Sequence, residues 1–397
     1  MSPARVRRNV GLDALLASKE MVLVTGSGGV GKTTVAAALA LSAAVHQGGK
    51  ILVLTVDPAR RLADALGVGK LGNTATRVPA KAFEAAGITP RGELWAAMLD
   101  TKAGWDELIR RHAPDAKVRD SVLANPLYQN ITSRFVHSHD YLAMEQLHEL
   151  HATGEYDLVV VDTPPSRSAL AVLDAPSRMV EFFGSRLLRW LTVPYRSRLF
   201  TVASKPFYQV ADRVLGGGFL RDIADFFVLF QAMEKGFVAR AREVEALLGD
   251  PRTTFVVIST LEAAPAHEAE YLARELVKRR HHLGAIIANR VLPTDITRKA
   301  AAISARRLVE AADDDTVIER IVDTLSNGGE AVDGHVVTDV LREVGTRFHD
   351  VAVVATREAE RRAELGELAP QVLDVPSLDS DVHDLASLLT LVGHLRA

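Results

Sequence analysis

Nine residues, GSGGVGKTT (26–34), hold four glycines, one lysine and two threonines. They fit G-x-x-x-x-G-K-[ST] at Gly26, Gly31, Lys32 and Thr33. That spacing suits a phosphate chain. Glycines let the backbone turn its N–H groups toward an anion, and a helix N-terminus behind them adds the positive end of its dipole. The candidate phosphate-binding set is Gly26, Ser27, Gly28, Gly29, Val30, Gly31, Lys32, Thr33 and Thr34. In such a loop the lysine reaches the β- and γ-phosphates, and the threonine hydroxyl holds Mg²⁺. The motif needs a strand before it and a helix after it. MVLVT (21–25) reads as a buried strand, and VAAALALSAAV (35–45) is rich in good helix formers.

Two carboxylates extend this chemistry. Asp57, in TVDPARRLADALG (55–67), follows an apolar run and falls at a strand's C-terminal end, where doubly wound sheets bind ligands. It could orient or activate an attacking water; an Asp-Pro turn opening a helix is the other reading of the same residues. Asp162 ends LVVVD (158–162), where a carboxylate can serve Mg²⁺ directly or through water. Strands often end in aspartate, so Asp162 alone says little. The order of the three motifs implies hydrolysis of ATP by in-line attack of water on the γ-phosphate, with Lys32, Mg²⁺ and loop amides stabilising the developing charge.

Composition narrows the alternatives. The chain has 397 residues, 48% hydrophobic and 24% charged, with a net charge of −3. No dedicated nucleic-acid partner is expected from that balance. There are no cysteines, which excludes disulfides, iron–sulfur clusters, thiolate zinc sites and thiol-based metalloid binding. The opening MSPARVRRNVGLDALL lacks the apolar core of an export signal, and no apolar run approaches the ~20 residues of a membrane span. The expected compartment is the cytoplasm, without stable membrane insertion.

Positioning these groups falls to a repeating pattern. Short apolar runs at 21–25, 51–56, 94–99, 158–162, 254–260, 284–290 and 371–375 read as buried parallel strands, with helical stretches between them. The alternation predicts an α/β fold, a doubly wound, mostly parallel sheet with helices on both faces. Because the runs continue to residue 375, one domain over 1–397 is expected, interrupted by helical insertions at 102–153 and 166–250. SNGGEAVDG (326–334) reads as a loop, and the spacing of Leu341, Val344, Phe348, Val351 and Ala355 predicts a helix after it.

GSGGVGKTT, DPARRLADALG, DTPPSRSALAVLDAP and IIANRVLP together resemble the arsenite-pump ATPase family, ArsA, from about residue 20 onward. That family includes the cytosolic factor that carries tail-anchored membrane proteins, and its wider class holds MinD and ParA. The resemblance implies a dimer facing across its nucleotides. It implies that Asp57 activates water and that Asp162 senses the γ-phosphate and Mg²⁺. It also implies that Asn289 hydrogen-bonds adenine and that Pro376 belongs to a loop over the base.

The chain departs from the family pattern at Ser27. The family's usual loop begins Gly-Lys-Gly-Gly, and that first lysine reaches the partner's phosphates. Slow hydrolysis, substitution by Arg60, Arg61 or Arg167, or a lysine supplied by a paralogous partner are the competing consequences. The lack of cysteine also removes the pump's metalloid site and the targeting factor's zinc-joined dimer.

The segment 179–233 holds eight of the 13 phenylalanines and directly follows the Asp162 motif. By resemblance it forms a groove for a hydrophobic or membrane-protein client, with Phe182, Phe183, Trp190, Phe226, Phe227 and Phe230 as candidate lining; the core of a helical subdomain is the competing reading. An energising subunit of an anion transporter and a MinD- or ParA-like positioning ATPase are the functional alternatives. The C-terminus, DSDVHDLASLLTLVGHLRA, lacks the basic amphipathic character that membrane positioning requires. The histidines of RHHL (280–283) and HSHD (137–140) show no convincing ligand spacing.

Overall fold

The computed structural model describes residues 11–55, 61–69, 71–98, 101–125, 128, 138–163, 170–184, 226–228, 231–297, 299–326, 331–378 and 380–396. Eight strands among them join one sheet: β1 (Met21–Gly26), β2 (Lys50–Thr55), β3 (Thr76–Arg77), β4 (Glu93–Met98), β5 (Leu158–Asp162), β6 (Thr253–Ser259), β7 (Leu283–Val291) and β8 (Val372–Pro376). Their spatial order is β3-β4-β2-β5-β1-β6-β7-β8. All pairs are parallel except the short β3, which runs antiparallel on the edge beside β4. The seven apolar runs read from the sequence are the seven parallel strands. β3 escaped that reading because Thr76 and Arg77 are polar and both exposed.

Strand periodicity explains why the runs are apolar throughout. Successive side chains leave a strand on opposite faces. Met21 and Leu23 of β1, Leu52 and Leu54 of β2, and Val159 and Val161 of β5 enter one buried cluster. Their neighbours Val22, Val24, Ile51, Val53, Leu158 and Val160 enter the other. With both faces covered, every position must be apolar, and each fully buried Val or Leu contributes about 1.5–3 kcal/mol. The second cluster is closed by the helices Leu12–Ala17, Lys32–His46 and Leu385–Arg396. Lys32–His46 is mostly alanine on its buried side, so it can lie close to the sheet. The first cluster is covered by Thr101–His112, Ser138–Ala152, Glu234–Leu248 and Ala263–Lys278.

A buried ionic group ties that second set of helices together. Glu145 is 3% exposed, with Arg240 Nε 2.9 Å and His112 Nε2 3.6 Å from its Oε1. His148 lies beside the same arginine, and burial together with that charge lowers its pKa. Burying charged groups away from water costs free energy that such close pairing offsets.

Between β7 and β8 the chain makes a helical excursion larger than the sequence suggested, through Thr294–Thr297, Lys299–Ala312, Asp315–Ser326 and the 35-residue Gly334–Leu368. VAVVAT, a run that alone could pass for a strand, lies inside that last helix. Its seam against Lys299–Ala312 is close at Gly345, where an added Cβ would sit 2.7 Å from Val309 Cγ2 and 3.0 Å from the Ala305 carbonyl oxygen. Gly345→Val is therefore expected to cost about 1–3 kcal/mol by overpacking. The check is a thermal unfolding midpoint several degrees lower, and an unchanged midpoint would show that the seam gives way. No helix among the described residues is long and apolar enough to cross a membrane.

Candidate functional site

The glycine loop leaves β1 at its C-terminal end and feeds straight into Lys32–His46. Two of its glycines are required by geometry. Gly26 has φ 153°, and any Cβ there would run into the Ile258 carbonyl of β6. Gly31 has φ 96° in the N-cap position of the helix, and a Cβ would strike the side-chain amide of Asn289. Left-handed backbone and close approach both favour glycine. Lys32 is only 7% exposed, and its Nζ donates to the Ser27 carbonyl at 2.8 Å, so the ammonium is held across the mouth of its own loop. The Ser27 hydroxyl is buried and has no hydrogen-bond partner among the described residues. A buried donor of this kind in a glycine loop at a helix N-terminus fits an arriving phosphate oxygen.

Beneath the loop, β5 carries Asp162, 1% exposed. Its Oδ2 accepts from Thr33 Oγ1 at 2.6 Å and from Thr55 Oγ1 at 2.9 Å. The parallel register makes this possible, since β2 and β5 pair with Thr55 opposite Asp162. Thr163 then pins the strand end, its hydroxyl donating to the Val24 carbonyl at 2.9 Å. Hydroxyl and carboxylate oxygens are the donors a hard divalent cation prefers, so Thr33 and Asp162 suit Mg²⁺. Thr55 was missed from sequence; its signal is its place as the last residue of a strand that runs into the Asp57 motif. Asp57 itself, Arg60 and Arg167 lie outside the described residues, as does the side chain of Arg61.

On the other side of β1, β7 brings Asn289 under the loop. Asn289 is 8% exposed, and its Nδ2 donates to the Val30 carbonyl at 2.8 Å. The strand is irregular just here. Asn289 pairs with Val375 and Val291 with Pro376, leaving Arg290 bulged out with φ 58°. Such bulges re-aim neighbouring side chains, and left-handed non-glycine residues concentrate at functional sites. Pro376, the last residue of β8, stands at the same end of the sheet. The two residues expected near adenine thus lie at the same end of adjacent strands.

The candidate client residues are placed less completely. Phe226 is 7% exposed in the core cluster that also holds Phe237, and Phe227 packs on it edge-on at 5.3 Å between ring centroids. Phe182 and Phe183 fall in the helix Leu170–Gly184, but their side chains are outside the described set, as are Trp190 and Phe230 entirely. His281 and His282 sit in the turn into β7, the first partly buried against the Leu248 carbonyl and the second more exposed, against Thr254. Burial lowers both of their pKa values.

A glycine loop between β1 and a helix, a buried aspartate on the neighbouring strand and a mostly parallel sheet define an α/β phosphate-loop NTPase. A family model described as "Anion-transporting ATPase" (ArsA_ATPase) matches residues 19–327. The chain belongs to that family and is an ATPase. An uncharacterized protein of Streptomyces coelicolor is 31% identical over 69% of this chain and 63% of its own length. The ATPase GET3 of Malassezia globosa is 27% identical over 69% of this chain and 73% of its own. The ATPase ASNA1 homolog of Entamoeba dispar is 24% identical over 69% and 77%. The chain therefore spans a little under two thirds of the first of these relatives and about three quarters of the others.

Proposed function

We propose that this chain is a Mg²⁺-dependent ATPase switch that acts as a dimer in the cytoplasm and couples its nucleotide state to binding of a hydrophobic or membrane-protein client. The observation that carries the reading is the direct bond between Thr33 of the phosphate loop and Asp162. Asp162 is where the γ-phosphate and the metal would be sensed, and the chain leaving it enters the aromatic-rich segment, whose first described helix begins at Leu170. A change at Asp162 is thus transmitted along a short covalent path. Bound Mg²⁺ would neutralise charge on the phosphates. Lys32 would leave the Ser27 carbonyl to meet the phosphate chain, Ser27 would donate its hydroxyl, and Asp57 would orient the attacking water. Asn289 and Pro376 would flank the adenine. One domain would hold all of this, carrying its helical insertions on the sheet. The partner subunit is a second copy or a paralogue, and the charge that Ser27 lacks comes from Arg60, Arg61 or Arg167 or from a lysine of that paralogue.

The test is ATP turnover of the purified protein with and without a peptide carrying one transmembrane helix of ~20 apolar residues, with mass measured in solution alongside. The expected result is that the ATP-loaded dimer binds the peptide, and that Asp57→Asn abolishes hydrolysis while sparing that binding. Turnover that ignores the peptide but rises with oxyanions would replace this reading with the transporter subunit. Turnover appearing only with a second related chain would make the working unit a heterodimer.

A further inference from the structure

Asn289 makes a contact that recognition of a base does not need. Its carboxamide hydrogen-bonds the phosphate loop itself, at the Val30 carbonyl, across 259 residues of sequence. β6 lies between β1 and β7, and its last paired residue, Ser259, stands opposite Ala288. Asn289 therefore projects one residue beyond the end of β6, with nothing of that strand between it and the loop. Alternation along β7 places it with Ala285 and Ile287, on the face that carries Lys32–His46. The bulge at Arg290 adjusts its aim, and the missing Cβ of Gly31 makes room for its amide.

The Val30 carbonyl and the Gly31 N–H belong to one peptide group. That group is planar and trans, so the two bonds point in opposite directions. Holding the carbonyl toward Asn289 turns the Gly31 N–H away from it, toward the side of the loop where main-chain amides receive phosphate. Without a fixed partner this peptide could flip in a chain of glycines, and a flip would present an oxygen to the anion.

We propose that Asn289 is a positioning residue for the phosphate loop: it locks the Val30–Gly31 peptide in its anion-binding orientation and so acts on the phosphate chain as well as on any base. The inference rests on the loop being a phosphate cradle and is independent of any client, so the two tests fail separately.

The discriminating probe is magnesium tripolyphosphate, which has the phosphate chain and no base. Its affinity and that of ATP are measured by competition for the native chain, Asn289→Ala and Asn289→Asp. In Asn289→Ala tripolyphosphate is expected to weaken about fivefold to tenfold, the size of one hydrogen bond, and ATP by at least as much. In Asn289→Asp the carboxylate faces a carbonyl with no proton to give. Its deficit should exceed that of alanine at pH 8 and shrink toward pH 5, relative to the native chain at each pH, as a protonated carboxyl donates again. Weakening of ATP alone would assign Asn289 to the base only and overturn the proposal. So would unchanged affinity for both ligands.

Discussion

Replacing Lys32 with alanine is expected to lower ATP turnover by about 10²–10³-fold, the usual cost of removing one preorganised donor from a developing charge. Its surroundings among the described residues explain the size of that loss. Lys32 is almost wholly enclosed, and its ammonium is already directed across the loop by the Ser27 carbonyl. Ser27 offers only a hydroxyl at its place in the loop, so Lys32 is the one charged side chain that residues 26–34 contribute. Arginine should fail as well. Its planar fork is larger than an ammonium and cannot rotate three donors onto the same points. Steady-state hydrolysis, with unfolding midpoints to show that the variants are folded, checks both. Turnover of Lys32→Ala within twofold of the native chain would rule out the loop as the seat of catalysis.

Asp162→Asn is the second change with a large expected effect. Asparagine keeps the shape and retains a carbonyl oxygen to accept from Thr33 and Thr55, so the hydrogen bonds under the loop survive. The charge is lost, and the second carboxylate oxygen becomes an NH2 that cannot ligate a cation. Turnover should fall about 100-fold, and the Mg²⁺ concentration for half-maximal activity should rise about 10- to 100-fold, as found when groups that hold or orient a metal are altered. Asp162→Ala separates charge from architecture. It leaves two hydroxyls beneath the loop without their acceptor, at about 1–3 kcal/mol of stability. The expected order of unfolding midpoints is therefore native, then asparagine, then alanine. A normal Mg²⁺ requirement in Asp162→Asn would remove this residue from the metal site.

Local sequence was enough for the parts whose physics is local. Glycine at positions with φ 153° and 96° is a property of single residues, and the strand–loop–helix around them is written in neighbouring side chains. The parallel strands were legible because burial on both faces forces continuous apolar runs. The β3 edge was not, because two exposed polar residues bury nothing. The long helix Gly334–Leu368 showed its period, but its close crossing at Gly345 depends on Val309 and Ala305 of another helix, which no period reveals.

The site divides in the same way. Lys32, Thr33 and Asp162 could be named from their motifs. That Thr33 bonds Asp162 across 129 residues, that Thr55 joins them, and that Asn289 reaches Val30 were decided by the strand order β2-β5-β1-β6-β7 and its register. Propensity and periodicity act over a few residues. Register is chosen by all the side chains of both buried faces at once, so only the assembled sheet determines which distant groups share a hydrogen bond.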